Sequence, residues 1–149
     1  MTSHVPDPSL AGGRPVLQMR GVAKSFPTPR GPVPVLRGVD VGIQPGSFVA
    51  ITGPSGSGKS TFLNLAALLD TPTAGEVFFD GDDVSQVPER ALCALRKEKI
   101  GMVFQKFCLL PHRSALDNVL FRFRYLDLPG AVARARAEQA LAGVGLLAQ

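Results

Sequence analysis

Gly53-Pro54-Ser55-Gly56-Ser57-Gly58-Lys59-Ser60 is the stretch on which the reading of this chain turns. It has the full spacing G-x-x-x-x-G-K-[ST] and runs on into Thr61. Before it lies Ser47-Phe48-Val49-Ala50-Ile51-Thr52, a short β-branched and aromatic run of the kind that makes a buried strand. After it, Phe62, Leu65, Ala66 and Leu69 fall at helical spacing. A strand, a glycine loop and a helix in this order suit the binding of a phosphate chain. The anion needs inward-turned backbone N–H groups, and glycine at 53, 56 and 58 leaves room for its approach. The helix start adds free N–H groups and a partial positive charge. In this pattern Ser55 and Ser57 complete the cradle with Thr61, Lys59 supplies a mobile cation for the terminal phosphates, and the Ser60 hydroxyl suits Mg²⁺.

Outward from the loop, strands and helices interleave, which predicts an α/β fold. Residues 16–20 and 22–26 read as short strands, followed by a loop rich in proline and glycine over 27–34. Val39 to Ile43 alternates weakly and stops at Pro45-Gly46. Thr71-Pro72 ends the first helix, and residues 76–80 and 100–104 read as further strands. Pro88 to Lys99 suits an exposed helix carrying Leu92 and Leu95. Ser114 reads as an N-cap with Asp117 three residues on. It opens a helix whose stripe is Leu116, Val119, Leu120 and Phe123, and residues 131–147 predict a last, alanine-rich helix.

Composition narrows the classes. The chain has 149 residues, 45% apolar and 19% charged, which excludes a highly charged disordered protein. The net charge of +4 is spread without a basic stripe, so no nucleic-acid partner is expected. Cys93 and Cys108 fit no zinc or redox spacing and are expected to be buried, reduced thiols. No apolar stretch is long enough to span a bilayer. Residues 1–15, rich in proline and glycine, are expected to form a disordered arm without the apolar core of a signal peptide, and a cytosolic location is expected.

Further segments resemble one family. Lys24-Ser25-Phe26, Val35-Leu36-Arg37-Gly38-Val39, Pro45 to Ile51, the glycine loop, Pro72 to Val77, Ile100 to Gln105, Leu109-Leu110-Pro111 and Ala115 to Val119 together resemble the ATP-binding subunit of an ABC transporter. The finer pattern is similar to the lipoprotein-release and macrolide-export branch. The resemblance covers residues 16–128 and continues more weakly to 149. It implies a P-loop NTPase fold of the ABC ATPase type: an antiparallel β subdomain, an incomplete parallel core sheet and the start of a helical subdomain. It implies ATP and Mg²⁺ as ligands, with Phe26 stacking on adenine and Gln105, as a catalytic and metal-sensing residue, beside Ser60. The partners implied are an integral-membrane permease, which meets the surface from Lys106 to Arg113, and a second ATP-binding subunit in the complete form. The implied location is cytoplasmic, on the inner face of the cell membrane. Read alone, Phe26 could instead be a core aromatic closing a strand, and residues 106–113 an ordinary apolar loop.

The resemblance has gaps. No L-S-G-G-Q segment, no apolar strand ending Asp-Glu and no matching switch histidine occur in the 149 residues. Val77-Phe78-Phe79-Asp80 imitates a metal-binding strand, but Gly81 follows it, and Pro72 to Val77 assigns it to the antiparallel subdomain. Three readings follow: an ATP-binding transporter subunit cut short before those motifs, a nucleotide-binding module without turnover, and a small self-contained P-loop kinase or NTPase using Asp80. The chain alone is expected to bind Mg·ATP without turning it over.

Overall fold

The computed structural model describes residues 13–106, 109–126 and 128–146. They fall into two compact units, divided after Ile100. The expected N-terminal arm lies largely outside the described residues; of its last three, Arg14 rests 3.6 Å from Asp82.

The first unit is built on an antiparallel sheet of β1 (Leu17–Phe26), β2 (Val33–Ile43), β3 (Ala74–Phe79) and the short β4 (Asp82–Asp83), in the order β2-β1-β3-β4. The two short strands expected over 16–26 are one strand with a bulge. Leu17 and Met19 point into the core, Gly21 takes φ +55°, and Val22 rather than Gly21 is the next buried residue. The Asp40 carboxylate accepts the Gly21 N–H at 2.8 Å. The extra residue shifts the alternation by one, so both halves of β1 face the same core. β3 comes so close at this bulge that a Cβ on Gly75 would lie 2.4 Å from the Gly21 carbonyl oxygen, which only glycine avoids.

β2 begins inside the expected proline loop, and Pro34 pairs with Ser25. Proline is tolerated there because β2 is an edge strand and one side of its backbone needs no partner. Helix α1 (Lys59–Ala66) and helix α2 (Glu89–Lys99) follow in the same unit. Leu65 and Leu68 from the α1 segment, Val84, and Leu92 of α2 join Met19, Val22, Leu36, Val77 and Phe79 in one core cluster. α1 is shorter than expected: Leu68 turns to φ +55° and the chain leaves toward Pro72. Cys93 on α2 is exposed, against expectation, because it lies off the face that buries Leu92. Cys108 lies outside the described residues.

Two expected strands do not form. Among the described residues the single sheet is antiparallel, and 47–52 and 100–104 enter no ladder. Phe48 is 96% exposed and Val103 99%. A strand-like composition does not make a strand without a neighbour to take its N–H and C=O groups.

In the second unit, α3 (Ala115–Phe123) and α4 (Gly130–Gly143) pack as a pair. Ser114 caps α3 as expected: its Oγ accepts from the Asp117 N–H at 3.0 Å and donates to the Asp117 carboxylate at 2.8 Å. Ala133, Ala137 and Leu141, four residues apart, are the buried stripe of α4.

Candidate functional site

The glycine loop runs from Gly53 into α1. Ser57 N–H donates to the Pro54 carbonyl at 3.3 Å, closing a turn, and Phe62 N–H donates to Gly58 at 2.8 Å, starting the helix. Gly58 occupies the N-cap at φ +91° with no side-chain cap. A Cβ there would press on Val35 and Leu36 of β2 at 3.0 to 3.3 Å, so both conformation and space call for glycine. By helix geometry the N–H groups of Lys59, Ser60 and Thr61 have no acceptor within α1, and no acid sits in its first turn. The helix start therefore presents donors and positive partial charge to the loop.

Lys59 folds back over the loop. Its ammonium donates to the carbonyls of Gly53 at 2.8 Å and Pro54 at 2.7 Å, and approaches Ser57 Oγ at 3.5 Å. It thereby holds the loop in a ring and stands where an anion in the loop would meet it. Ser55, Gly56, Gly58, Lys59, Ser60 and Thr61, with Val35, line an open cleft of about 310 Å³. Among the described residues no cluster of three His, Cys, Asp or Glu could hold a metal. The Ser60 hydroxyl in the cleft is a hard oxygen donor. It fits Mg²⁺ in the usual way for that ion, with phosphate oxygens and water as its other ligands.

Phe26 ends β1, 38% exposed, paired with Val33 of β2. Val35, which lines the cleft, is two residues further along β2, roughly 7 Å of strand. Asp80 does not join the cleft: it sits at φ +48° in the turn between β3 and β4, 3.4 Å from Lys99.

Gln105 belongs to the second unit, exposed in a bend. The segment after it has an internal brace that the sequence did not reveal. Asn118 accepts the Leu110 N–H at 2.7 Å, and its amide donates to the carbonyls of Leu110, Arg113 and Ser114 at 3.0 to 3.3 Å. Leu109 is exposed beside it, and Phe107 and Cys108 lie outside the described residues. A cleft of about 670 Å³ opens along α3, between Leu110, Leu120, Arg124 and Leu128. Also unforeseen were two contacts at the far end of α1: Lys24 to Asp70 at 2.6 Å, and Arg96 to the Leu68 carbonyl at 2.6 Å. Residues 46 and 28 positions apart leave no local trace of such pairing.

A glycine loop opening a helix beside an antiparallel sheet defines a nucleotide-binding domain of the P-loop class. Within that class the chain belongs to the ABC transporter family, whose pattern it matches over residues 36–149. It is 45% identical over 133 residues to a macrolide export ATP-binding/permease protein, MacB, of Marinobacter nauticus, covering 89% of this chain and 21% of that protein. It is 44% identical over 132 residues to a lipoprotein-releasing system ATP-binding protein, LolD 2, of Caulobacter vibrioides, covering 89% and 58%. The dimeric structure of MJ0796, a bacterial ABC transporter cassette, superposes with a TM-score of 0.76 at 39% identity, over 85% of this chain and 56% of that one. The same cassette is also known in a post-hydrolysis state bound to ADP and Pi, with the same score. The chain thus spans about a fifth of the MacB relative and under three fifths of the LolD relative.

Proposed function

We propose that this chain binds Mg·ATP as the nucleotide-binding part of an ABC transporter ATPase that drives export or lipoprotein release through a membrane permease. The observation that carries the reading is the loop at the start of α1, with Lys59 closed over the Gly53 and Pro54 carbonyls. In this reading the phosphates lie on the N–H groups of the loop and of the α1 start, and Lys59 adds its charge to the terminal phosphates. The purine stacks on Phe26. Mg²⁺ would be held by Ser60 and would neutralise charge on the terminal phosphates, and Gln105 is proposed as the metal-sensing residue on the family pattern alone.

The chain by itself holds the nucleotide without turning it over. Phosphoryl transfer relies almost wholly on positioned charge and an oriented water. Asp80, the acid that ends the run Val77 to Phe79, is set in a hairpin turn beside Lys99. That placement speaks against a self-contained kinase or NTPase built on it. The partner surface proposed is the stretch from Lys106 to Arg113, where a membrane permease docks; Asn118 braces it at Leu110 and Arg113. The complete form pairs with a second ATP-binding subunit on the inner face of the membrane. Among the described residues no helix is long and apolar enough to cross a membrane.

The test is calorimetric titration of Mg·ATP into the wild-type chain and Lys59→Ala. A charge-assisted hydrogen bond is worth roughly 1.5–3 kcal/mol, so the variant should bind about ten- to a hundredfold more weakly. Equal affinities would remove Lys59, and with it the phosphate-loop reading. Saturation at a hundredfold excess over Kd should stabilise the wild-type chain by about 2.7 kcal/mol while phosphate release stays at background. Release that disappears in Lys59→Ala would overturn the no-turnover proposal.

A further inference from the structure

The far end of the phosphate-loop helix is tied to the strand that carries Phe26. The Lys24 ammonium donates to Asp70 Oδ1 at 2.6 Å and to the Thr71 carbonyl at 2.7 Å. The Lys24 side chain is only 12% exposed, and its charge lies 5.2 Å from the centre of the Phe26 ring. Thr73 laces the same stretch: its N–H donates to the Ala23 carbonyl at 2.9 Å, and its Oγ1 accepts from the Ser25 N–H at 3.0 Å. Residues 70–73 therefore grip the end of β1 through one side-chain cation and two backbone contacts.

α1 is a rod of eight residues, about 12 Å long. Its first turn forms the phosphate loop, and the chain leaving its last turn holds Lys24. A nucleotide that spans loop and ring needs those two points at a fixed separation. The Lys24 ammonium also lies over one face of the Phe26 ring as a cation, and Phe26 remains 38% exposed. The Asp70 carboxylate balances the charge beneath the ring.

We infer that Lys24 is a positioning residue for the nucleotide base. It acts through Phe26, fixing the ring's orientation and its distance from the phosphate loop. The inference rests on the reading of Phe26 and the glycine loop as one nucleotide site. It makes a distinction that a merely structural ion pair does not: Lys24 should matter for a ligand with a base and be silent for one without.

The experiment titrates Mg·ATP and inorganic tripolyphosphate, each in turn, into the full chain as wild type, Lys24→Met, Lys24→Arg and Asp70→Asn. Lys24→Met should lose about three- to tenfold in ATP affinity, the worth of a well-placed aromatic stack, and stay within about twofold for tripolyphosphate. Lys24→Arg, which keeps the cation and can reach both oxygens, should recover most of the loss. Asp70→Asn keeps the lysine and removes its anchor. It should show the same split, and it yields the measurement even where Lys24→Met does not fold. Equal losses for both ligands, or no loss for ATP, would overturn the inference and leave the ATP reading standing. A wild-type chain that binds tripolyphosphate but not ATP overturns the role of Phe26, and the inference with it.

Discussion

β1 and the segment 47–52 both read as strand in the sequence, and only one of them is a strand. Met19 of β1 is 1% exposed and hydrogen-bonded neighbours flank it on both sides, with Val41 on β2 and Val77 on β3. Phe48 is almost fully exposed, and its segment joins no ladder among the described residues. The difference lies in the partners. β1 finds both of its neighbours within the first 80 residues, through a hairpin and one crossover past α1. Nothing in the described sheet takes the backbone of 47–52. Strand propensity expresses how well side chains fit a paired, half-buried surface, and it is realised only where the pairing exists.

The sharpest way to break that contrast is to cut into both regions at once. Met19→Ala should lower stability by about 2–5 kcal/mol, because a fully buried side chain leaves a cavity against Val22, Leu65 and Val77. Phe48→Ser should stay within about 0.5 kcal/mol, as exposed substitutions do. Denaturant unfolding of both variants measures the pair. A comparable loss at Phe48 would mean that 47–52 is paired in solution and that the two regions do not differ.

Helix α3, in contrast to β1, needs no distant partner to begin. α3 starts where local chemistry says it should: Ser114 satisfies the Asp117 N–H, and Asp117 lies in the first turn near the positive end of the helix. Ser114→Ala should cost about 1 kcal/mol of helix stability. Because Asn118 donates to the Ser114 carbonyl, the loss should spread to the brace over residues 110–114. Amide hydrogen exchange should quicken across α3 and that loop while β1 keeps its protection. Uniform quickening over both units would show that they open together.

The same contrast separates what could be read from the sequence from what could not. The phosphate loop, the Ser114 cap and the helix opening after Pro88 are short-range devices: a few adjacent residues carry both the chemistry and the geometry. The interior of the sheet was less legible. Pro34 looks like loop until the edge position of β2 is known, and the bulge at Gly21 merges two expected strands into one. The site divides in the same way. Residues 53–61 were read from their spacing together with the apolar runs on either side, whereas the tie from Lys24 to Asp70 spans 46 positions and exists only once the sheet and α1 are packed. The strands expected at 47–52 and 100–104 were read from composition, which carries no information on whether a partner is at hand.

The smallest expected effect lies at the other edge of the sheet, where β4 is only two residues long and a side chain takes over from the ladder. The buried Ser85 hydroxyl accepts the Val77 N–H at 2.8 Å and donates to Asp83 Oδ1 at 2.5 Å, and the Ser85 N–H donates to the same oxygen at 2.9 Å. Donation from the Ser85 hydroxyl first, and from its N–H second, holds the Asp83 carboxyl below the ordinary aspartate value of 3.8. A carboxyl with a depressed folded-state pKa adds stability above its unfolded pKa and loses it as pH falls through the folded value. Asp83 is exposed, so solvent screening keeps the gain to a few tenths of a kcal/mol. Wild type should therefore exceed Asp83→Asn slightly at pH 6, and the gap should close as pH drops through and below 3.8. A gap that persists unchanged into acid would show that Asp83 serves this edge through hydrogen-bond geometry alone and not through its charge.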